Sequence, residues 1–288
     1  MTDASAPEIV VGCDGSASSH SAIRWAAHEA GMRNVALRLV HVGAAPAVIN
    51  VMRPVPVEFE EWQDQQARQV LAEATALVAE IGTDGHMSAP QPALMLDHHL
   101  SYPFVFTHRG QVYMLPESRE ARCVSLYRCV EMPHRWEKVH HLLDDVEAVD
   151  ATLHEHGGRW WMFVNIVAHP GASSCVELHL FHADEPTSRD WQPHPQNPVV
   201  SDARRARPAG KLFEHEGRLY RPSQDCSHRY GWGLNINWVK TLSPEVYEEE
   251  QVSRAEPRWA PDVRGIHTFN RTGPFHVIDA EVRRSRWS

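Results

Sequence analysis

Cysteine is scarce in this chain. Its 288 residues include only five cysteines, and no two of them form a CxxC pair. The sequence therefore supports neither a structural zinc site nor a disulfide framework. A few scattered cysteines, odd in number, are typical of a protein that stays reduced, and we expect a cytoplasmic location.

Long apolar runs and an excess of basic charge are also lacking. No apolar stretch approaches the roughly 18 residues that span a bilayer, and the opening MTDASAPE does not resemble a secretory signal. The formal net charge is −9, whereas non-specific nucleic-acid binding needs a basic surface. We therefore expect neither a membrane nor a nucleic acid as a partner.

Histidine, in contrast, is abundant, with 20 residues that include the His154-x-His156 pair. Alternating histidines on one strand face can hold zinc when a third ligand lies elsewhere. However, His108, His156 and His215 each stand two residues before a glycine in similar short phrases. This recurrence indicates a residue of a repeated hairpin turn. We expect no metal and no cofactor.

Four short phrases repeat along the chain with a glycine at the same place. They read FTHRGQVY, HEHGGRWW, FEHEGRLY and FNRTGPFH, and their glycines are Gly110, Gly158, Gly217 and Gly273. The intervals between these glycines are 48, 59 and 56 residues. Strand–turn–strand units at such a period predict a β-propeller, and we place this all-β region at 94–288.

The N-terminal residues follow a different pattern. Apolar runs at 8–13 and 35–42 predict strands, and apolar residues at helical spacing predict helices beginning near Ser18 and over 58–81. The order β-α-β-α implies two parallel strands joined by a right-handed crossover. The small, polar segment 83–93 is expected to be a linker.

The phrase IVVGCDGSASSHSAIRWAAHEA resembles the opening of the universal stress protein family. The resemblance covers about residues 8–82, which is half of such a domain, and it implies that Asp14 lies beside the adenine of bound ATP. In that family a later glycine-rich motif cradles the phosphates with backbone amides. Nothing after Ile81 supplies that motif, so we do not expect ATP as a ligand.

Polar residues precede or follow the repeat turns at comparable positions. The phrases HLSYPF, EAVDATL, RARPAG and GIHTFNR contain Tyr102, Asp150, Arg207 and His267, respectively. Because the first strand of each propeller blade lines the central channel, these side chains should converge on one axial pocket. A second register, after the turns, contains Glu117, Asn165 and Gln224.

The same phrases carry a second resemblance. HLSYPFVF, YMLPES, PHRWEKV, DWQPHPQNPVVSD, RPAGKLFEHEGRLYRPSQDCSHRYG and HTFN resemble the N-terminal domain of glucosamine inositolphosphorylceramide transferase-like proteins. That domain is similar to the five-bladed propellers of glycoside hydrolase families 43 and 32. The resemblance implies a carbohydrate-related site. Relatives carry a further blade before HLSYPF, so this chain should hold about four blades, numbers two to five.

Hydrolysis of a glycosidic bond needs two carboxyl groups across the sugar, one protonated and one ionised. We consider Glu117 as the acid, Asp150 as the carboxylate that tunes it, and Asp225 as their partner. The resemblance adds Tyr102, Arg207, Gln224, His267 and Asn270 as substrate-binding residues. In the alternative interpretation Asp150 caps a turn, Glu117 pairs with an arginine and Asp225 binds backbone amides.

Three functions follow from these patterns. The first is a carbohydrate-related propeller, either glycosidase-like or glycan-binding, which leaves open a glycoside hydrolase or an accessory domain of a glycosyltransferase. The second is a nucleotide-binding or interaction module of the universal stress protein type. The third is a non-functional fusion of two partial domains, in which the N-terminal part covers the gap of the missing blade.

Overall fold

A computed structural model gives the structure of this protein. It describes three N-terminal strands, at 8–12, 36–41 and 76–81, and then residues 91–132, 134–169, 171–258, 263–272 and 275–282. In these residues no helix is both long and apolar enough to cross a membrane.

The N-terminal strands form one sheet with the strand that follows them. Strands β1 (Glu8–Gly12), β2 (Ala36–His41), β3 (Ala76–Ile81) and β4 (Gln91–Leu94) lie side by side in chain order. β1 and β2 are parallel, as the sequence predicts. Asp14, the helix predicted from Ser18 and most of the second predicted helix lie outside the described residues.

The prediction of a helix over 58–81 is wrong at its C-terminal end. Residues Ala76–Ile81 form β3, which pairs antiparallel with β2 and, on its other side, with β4. Two parallel strands alone leave a row of unpaired backbone N–H and C=O groups along an open edge. β3 satisfies those groups on β2, and this pairing outweighs a helical spacing of apolar residues. β4 begins within the segment that was expected to be a linker.

Residues from Leu94 onward are all-β, apart from the short 3-10 helix Arg119–Ala121. Their strands are β5 (Ser101–His108), β6 (Gln111–Glu117), β7 (Cys123–Glu131), β8 (Arg135–Asp144), β9 (Ala148–His156), β10 (Arg159–Ile166), β11 (Glu177–Ala183), β12 (Gln192–Pro193), β13 (Val200–Ser201), β14 (Phe213–His215), β15 (Arg218–Asp225), β16 (Gly233–Leu242), β17 (Tyr247–Ala255), β18 (Val263–Gly265), β19 (Phe269–Thr272), β20 (Phe275–Ile278) and β21 (Glu281–Val282). They form three antiparallel sheets in chain order, β5–β8, β9–β12 with β13, and β14–β17, followed by the pairs β18–β21 and β19–β20.

The repeated glycine phrases are the hairpins that open these sheets. The two turn residues have positive φ in each of the first three: 49° and 76° at Arg109 and Gly110, 62° and 73° at Gly157 and Gly158, and 51° and 71° at Glu216 and Gly217. Positive φ at both positions is the type I′ turn, which requires glycine or another tolerant residue. The strands of the fourth phrase also pair. The hairpin prediction is confirmed.

The sheets stack face to face through the second strand of the middle sheet. On β10, Met162 and Val164 pack with Phe106 and Leu126 of the first sheet, while the alternate residues Trp161 and Phe163 pack with Leu219 and Val239 of the third sheet. Successive side chains of a strand point to opposite faces, so the run WMFV is buried on both sides. Trp191, from the connection between β11 and β12, is buried in the first of these clusters. Stacking of meander sheets is how the blades of a propeller pack.

The N-terminal sheet contacts the all-β region at two places. Leu94, at the end of β4, is buried with Leu100, Met114 and Tyr127. On the other side of the sheet, β1 lies beside β20. The N-terminal strands therefore reach both the first and the last strand groups of the all-β region.

Leu94→Ala tests whether the contact at β4 stabilises the protein. Leu94 is 8% exposed, and truncation of a buried leucine costs about 2–5 kcal/mol in the free energy of unfolding. We expect a loss near the lower end of that range, measured by urea denaturation. The adjacent Met95 is 62% exposed, so Met95→Ala is the control and should leave stability unchanged. Equal stability of both variants and the parent would show that β4 does not hold the two regions together.

Candidate functional site

The candidate site begins at a bulge on the first strand of two neighbouring sheets. Tyr102 and Asp150 have φ of 40° and 56°, and each lies where the strand register shifts against the second strand of its sheet. A bulge re-aims a side chain, and positive φ at a residue other than glycine costs about 1–3 kcal/mol and persists only where the surroundings fix it. The equivalent bulges turn both side chains toward the same place, as the repeat register predicts.

Arg207, from the segment before β14, is the centre of the site. Its Nε donates a hydrogen bond of 2.6 Å to Oδ2 of Asp150, and Nη1 donates one of 3.0 Å to Oγ of Ser174. Nη2 is 3.5 Å from Oε2 of Glu117. The guanidinium also lies 4.7 Å from the ring centre of Tyr230, on its face. Arg207 thus joins residues from all three complete sheets or their connecting loops.

The amide of Gln224 and the hydroxyl of Tyr102 complete the cluster. Gln224 Nε2 donates to Asp150 Oδ2 at 3.0 Å and to the carbonyl oxygen of Pro208 at 2.9 Å. The hydroxyls of Tyr102 and Thr152 are hydrogen-bonded at 2.9 Å. Asp150 therefore has a cation and an amide as donors, which a buried carboxylate needs.

Glu117 has a strongly perturbed carboxyl group. Burial, together with the negative charge of Asp150 and a hydrogen bond to that carboxylate, raises the pKa of Glu117 to about 8. Near neutral pH the folded protein therefore keeps this carboxyl mostly protonated. Burial lowers the pKa of Arg207, but the charge and hydrogen bond of Asp150, together with the neighbouring Tyr230 and Glu117, outweigh burial and raise that pKa well above its ordinary value. The group holds one cation, one carboxylate and one neutral acid.

A second buried arginine fixes the backbone that leads into Arg207. Arg221 donates to the carbonyl oxygens of Arg205 and Ala206 and pairs with Glu249 through two hydrogen bonds of 2.8 Å. Tyr247 donates a further hydrogen bond of 2.6 Å to Glu249. The hydrogen bonds of Arg221 hold the segment before Arg207 against the third sheet. They therefore limit the movement of the Arg207 side chain.

The rim of the site is formed by Tyr230 and His267. Tyr230 is 50% exposed, and its ring meets the His267 ring edge-on with centres 5.5 Å apart. His267 Nδ1 contacts the carboxylate of Asp279, which also accepts hydrogen bonds from the backbone amides of His267 and Thr268. Burial lowers the pKa of His267, but the Asp279 contact outweighs it, and the net shift is upward.

The structure brings most of the predicted site residues together. Tyr102, Glu117, Asp150, Arg207 and Gln224 share one network of contacts. His267 joins it at the rim through Tyr230. Asn165, in the register of Glu117 and Gln224, is buried and donates to the carbonyl oxygen of Ser174 at 3.0 Å.

Two predicted residues have other partners. Asp225 is buried but accepts hydrogen bonds from Ser227 and pairs with Arg254 at 2.7 Å. It follows Gln224 on β15, so its side chain points to the opposite face of that strand. Asn270 is exposed, and its Oδ1 accepts the Lys211 amide at 3.0 Å. In the described residues neither has a hydrogen bond or ion pair with the Arg207 cluster.

Sequence reasoning missed four members of the site and its rim: Thr152, Ser174, Tyr230 and Asp279. Thr152 could have been predicted from the sequence, because it stands two residues after Asp150 on the same strand and therefore on the same face. Ser174, Tyr230 and Asp279 lie in connections between strands. Those connections differ from one sheet to the next, so no repeat register marks them.

From Leu94 onward, the fold and the site together define an all-β region of stacked meander sheets, with a buried carboxylate–guanidinium cluster where the first strands converge. The chain belongs to the family described as glucosamine inositolphosphorylceramide transferase 1, N-terminal, whose model matches residues 84–285. The universal stress protein family model matches residues 7–91. Both resemblances inferred from the sequence are confirmed.

Relatives of known name match each part. The chain is 37% identical over 159 residues to glucosamine inositolphosphorylceramide transferase 1 of Oryza sativa subsp. japonica, covering 54% of this chain and 21% of that protein. The Arabidopsis thaliana transferase is 36% identical over 156 residues, covering 54% and 20%. A universal stress protein of Mycobacterium tuberculosis is 40% identical over 81 residues, 28% of each protein. This chain therefore spans about a fifth of the transferases that it matches.

Solved structures that resemble this chain include family-43 glycoside hydrolases. A thermostable family-43 enzyme has a TM-score of 0.47 at 13% identity, covering 64% of each chain. The GH43_1 enzyme from Xanthomonas citri complexed with xylotriose has a TM-score of 0.47 at 10% identity, covering 73% of this chain and 70% of that one. Likeness at this level does not identify an activity.

Protonation of Glu117 should make stability depend on pH. The carboxyl has an ordinary pKa of 4.5, which rises to about 8 in the folded state. Between these values the folded state holds a proton that the unfolded state has released, so the free energy of unfolding falls as pH rises. Glu117→Gln places a neutral amide there, and its melting temperature should decline less than that of the parent from pH 5 to pH 8. Parallel melting curves for the two proteins over this range would contradict the shifted pKa.

Asp150→Asn tests the buried ion pair with a matched surface control. The amide leaves Arg207 buried beside a neutral partner, and loss of one partner of a buried pair costs about 3–5 kcal/mol. Asp145 is the control, because it also has positive φ, at 55°, and also pairs with an arginine, but its side chain is 88% exposed. Asparagine tolerates positive φ at both positions. We expect Asp145→Asn to cost less than about 1 kcal/mol; chemical denaturation of both variants measures the difference.

Proposed function

We propose that residues 94–288 form an incomplete five-bladed propeller of the glycosidase-like type and that its axial cluster binds a carbohydrate. The observation that carries this proposal is the convergence of Glu117, Asp150, Arg207 and Gln224 from different strands beneath the half-exposed ring of Tyr230. Sugars are recognised by polar groups that bind their hydroxyls and by an aromatic face that packs against their C–H groups. Both kinds of group are present at this site.

Binding without hydrolysis fits the carboxyl groups better than turnover does. Glycosidases hold their two carboxyl groups about 5–5.5 Å apart in retaining enzymes and about 6.5–9.5 Å apart in inverting ones. Here Glu117 and Asp150 both contact the same guanidinium, that of Arg207, so they fit an acid and the carboxylate that tunes it better than a pair on opposite sides of a sugar. Asp225, the third predicted carboxylate, is bound to Arg254. We therefore propose a glycan-binding domain, such as an accessory domain of a glycosyltransferase, rather than a glycoside hydrolase.

The charge of the cluster favours a neutral sugar. Arg207 and Asp150 form an ion pair at 2.6 Å, and Glu117 is mostly protonated near neutral pH because its pKa is about 8. A uronate would bring a further carboxylate to a nearly buried site, where Arg207 is already paired with Asp150. Removing the uronate charge from water would be costly without a cation to pair with it. Hydroxyl groups can instead accept from the guanidinium and donate to the carboxyl groups.

We infer a supporting function for the N-terminal part. Its sheet contacts β20 through β1 and the β5–β8 sheet through Leu94, which are the neighbours that a first blade would have. The partial universal stress protein domain would then stabilise the propeller in place of the missing blade. Nucleotide binding by this part is the competing function, since the stress protein family model covers Asp14.

A thermal-shift screen against sugars and ATP tests the binding proposal. The panel is glucosamine, glucuronate, inositol, arabinose and galactose, each at the same concentration. A ligand that binds only the folded state raises the melting temperature by mass action, by about 2.7 kcal/mol in stability at a hundredfold excess over Kd. We expect a rise with a neutral member of the panel and no release of nitrophenol from nitrophenyl glycosides.

The control variants locate the response. Tyr230→Ala removes the exposed ring and should abolish the shift, whereas Val252→Ala, on the outer strand β17 and also 50% exposed, should retain it. A shift with ATP alone would favour the nucleotide-binding function instead. A shift that survives in Tyr230→Ala would place the sugar elsewhere on the protein.

A further inference from the structure

Two cysteines meet beside the Arg207 cluster. Cys175 lies in the connection between β10 and β11, and Cys226 directly follows β15. The side chains of Cys175 and Cys226 are hydrogen-bonded to each other. Arg207 Nη1 is 3.9 Å from the Cys175 sulfur, and the Cys226 sulfur is 3.8 Å from the side-chain oxygen of Gln224. Both cysteines are partly exposed and free.

We propose that Cys175 and Cys226 form a peroxide-reactive thiol pair that closes to a disulfide next to Arg207. Cys175 is the attacking thiol and Cys226 the resolving one. The hydrogen bond between the two cysteine side chains, the contact of the Arg207 cation with Cys175 and the partial exposure of both cysteines carry this assignment. It is independent of the carbohydrate function.

The two thiols differ in the way such a reaction needs. The hydrogen bond from Cys226 and the positive charge of Arg207 lower the pKa of Cys175 to about 6. The same contact, together with burial, raises the pKa of Cys226. A thiolate is the nucleophile in cysteine chemistry, and a neighbouring arginine stabilises it. Cys175 should therefore be mostly thiolate at neutral pH, while Cys226 stays protonated.

The reaction needs a hydroperoxide as oxidant and balances in two steps. The Cys175 thiolate attacks one peroxide oxygen, the O–O bond breaks, and hydroxide leaves to give a sulfenic acid. The Cys226 sulfur then attacks the sulfenic sulfur, the S–O bond breaks, and the thiol proton leaves with the hydroxyl group as water. In total two thiols and one hydrogen peroxide give one disulfide and two waters. The bond would link the β10–β11 connection to the end of β15.

Treatment of the full chain with hydrogen peroxide tests this pair. The protein carries Cys13→Ser, so that a thiol outside the described residues does not contribute. We expect the mass to fall by two hydrogens, and a digest without reductant to contain a peptide that links Cys175 to Cys226. Cys123 and Cys129, which are buried, serve as internal controls and should remain thiols.

Single variants separate the two roles. In Cys226→Ser the hydroxyl can still donate to Cys175, and a sulfenic acid should accumulate there and react with a 1,3-dione. In Cys175→Ser, Cys226 should stay reduced at the same dose of peroxide. At pH 7, iodoacetamide should alkylate Cys175 in Cys226→Ser at least about tenfold faster than Cys226 in Cys175→Ser, because of the difference in thiolate fraction.

Two results would overturn the proposal. One is a fully folded chain, by circular dichroism, that yields no linked peptide after peroxide treatment. The other is oxidation of Cys226 in Cys175→Ser as fast as in the parent. Neither result depends on whether the protein binds a sugar, so failure here and failure of the proposed function can be told apart.

Discussion

The geometry of the site depends on the buried ion pair between Arg207 and Asp150. Its two side chains come from the first strand of one sheet and the segment that leads into the next, 57 residues apart. Loss of either partner would leave an uncompensated charge in a place where water cannot solvate it. The sheets must therefore dock in one relative position, and the same position brings Glu117 and Gln224 to the cluster.

A second buried pair keeps that geometry from relaxing. Arg221 and Glu249 are themselves almost fully enclosed, and their forked hydrogen bonds place Arg221 so that it holds the carbonyl oxygens of Arg205 and Ala206. Arg221 thus fixes the backbone that precedes Arg207. The side chain of Arg207 is fixed by acceptors from the other sheets. Such double anchoring stabilises the positive φ of Asp150, because strain of this kind persists only where the surroundings determine it.

The sequence predicted those parts of the fold that repeat. The glycine register located the hairpins because type I′ turns need positive φ, and it located Tyr102 and Asp150 because equivalent strands carry equivalent bulges. It failed for Asp225, whose strand face points away from the cluster, and for Tyr230, which lies in a connection without a repeat. At 76–81 a helical spacing predicted a helix, but pairing with β2 made a strand.

The hairpin turns lie at the opposite end of the first strands from the cluster. Tyr102 precedes Gly110 by eight residues, and Asp150 precedes Gly158 by the same number. At about 3.3 Å per residue, the turns are about 26 Å from the charged cluster. The all-β region therefore has one end that carries the polar site and another, built of short turns, that is remote from it. That remote end is where a fluorescent label or an immobilising tag can be attached without contact with a bound ligand.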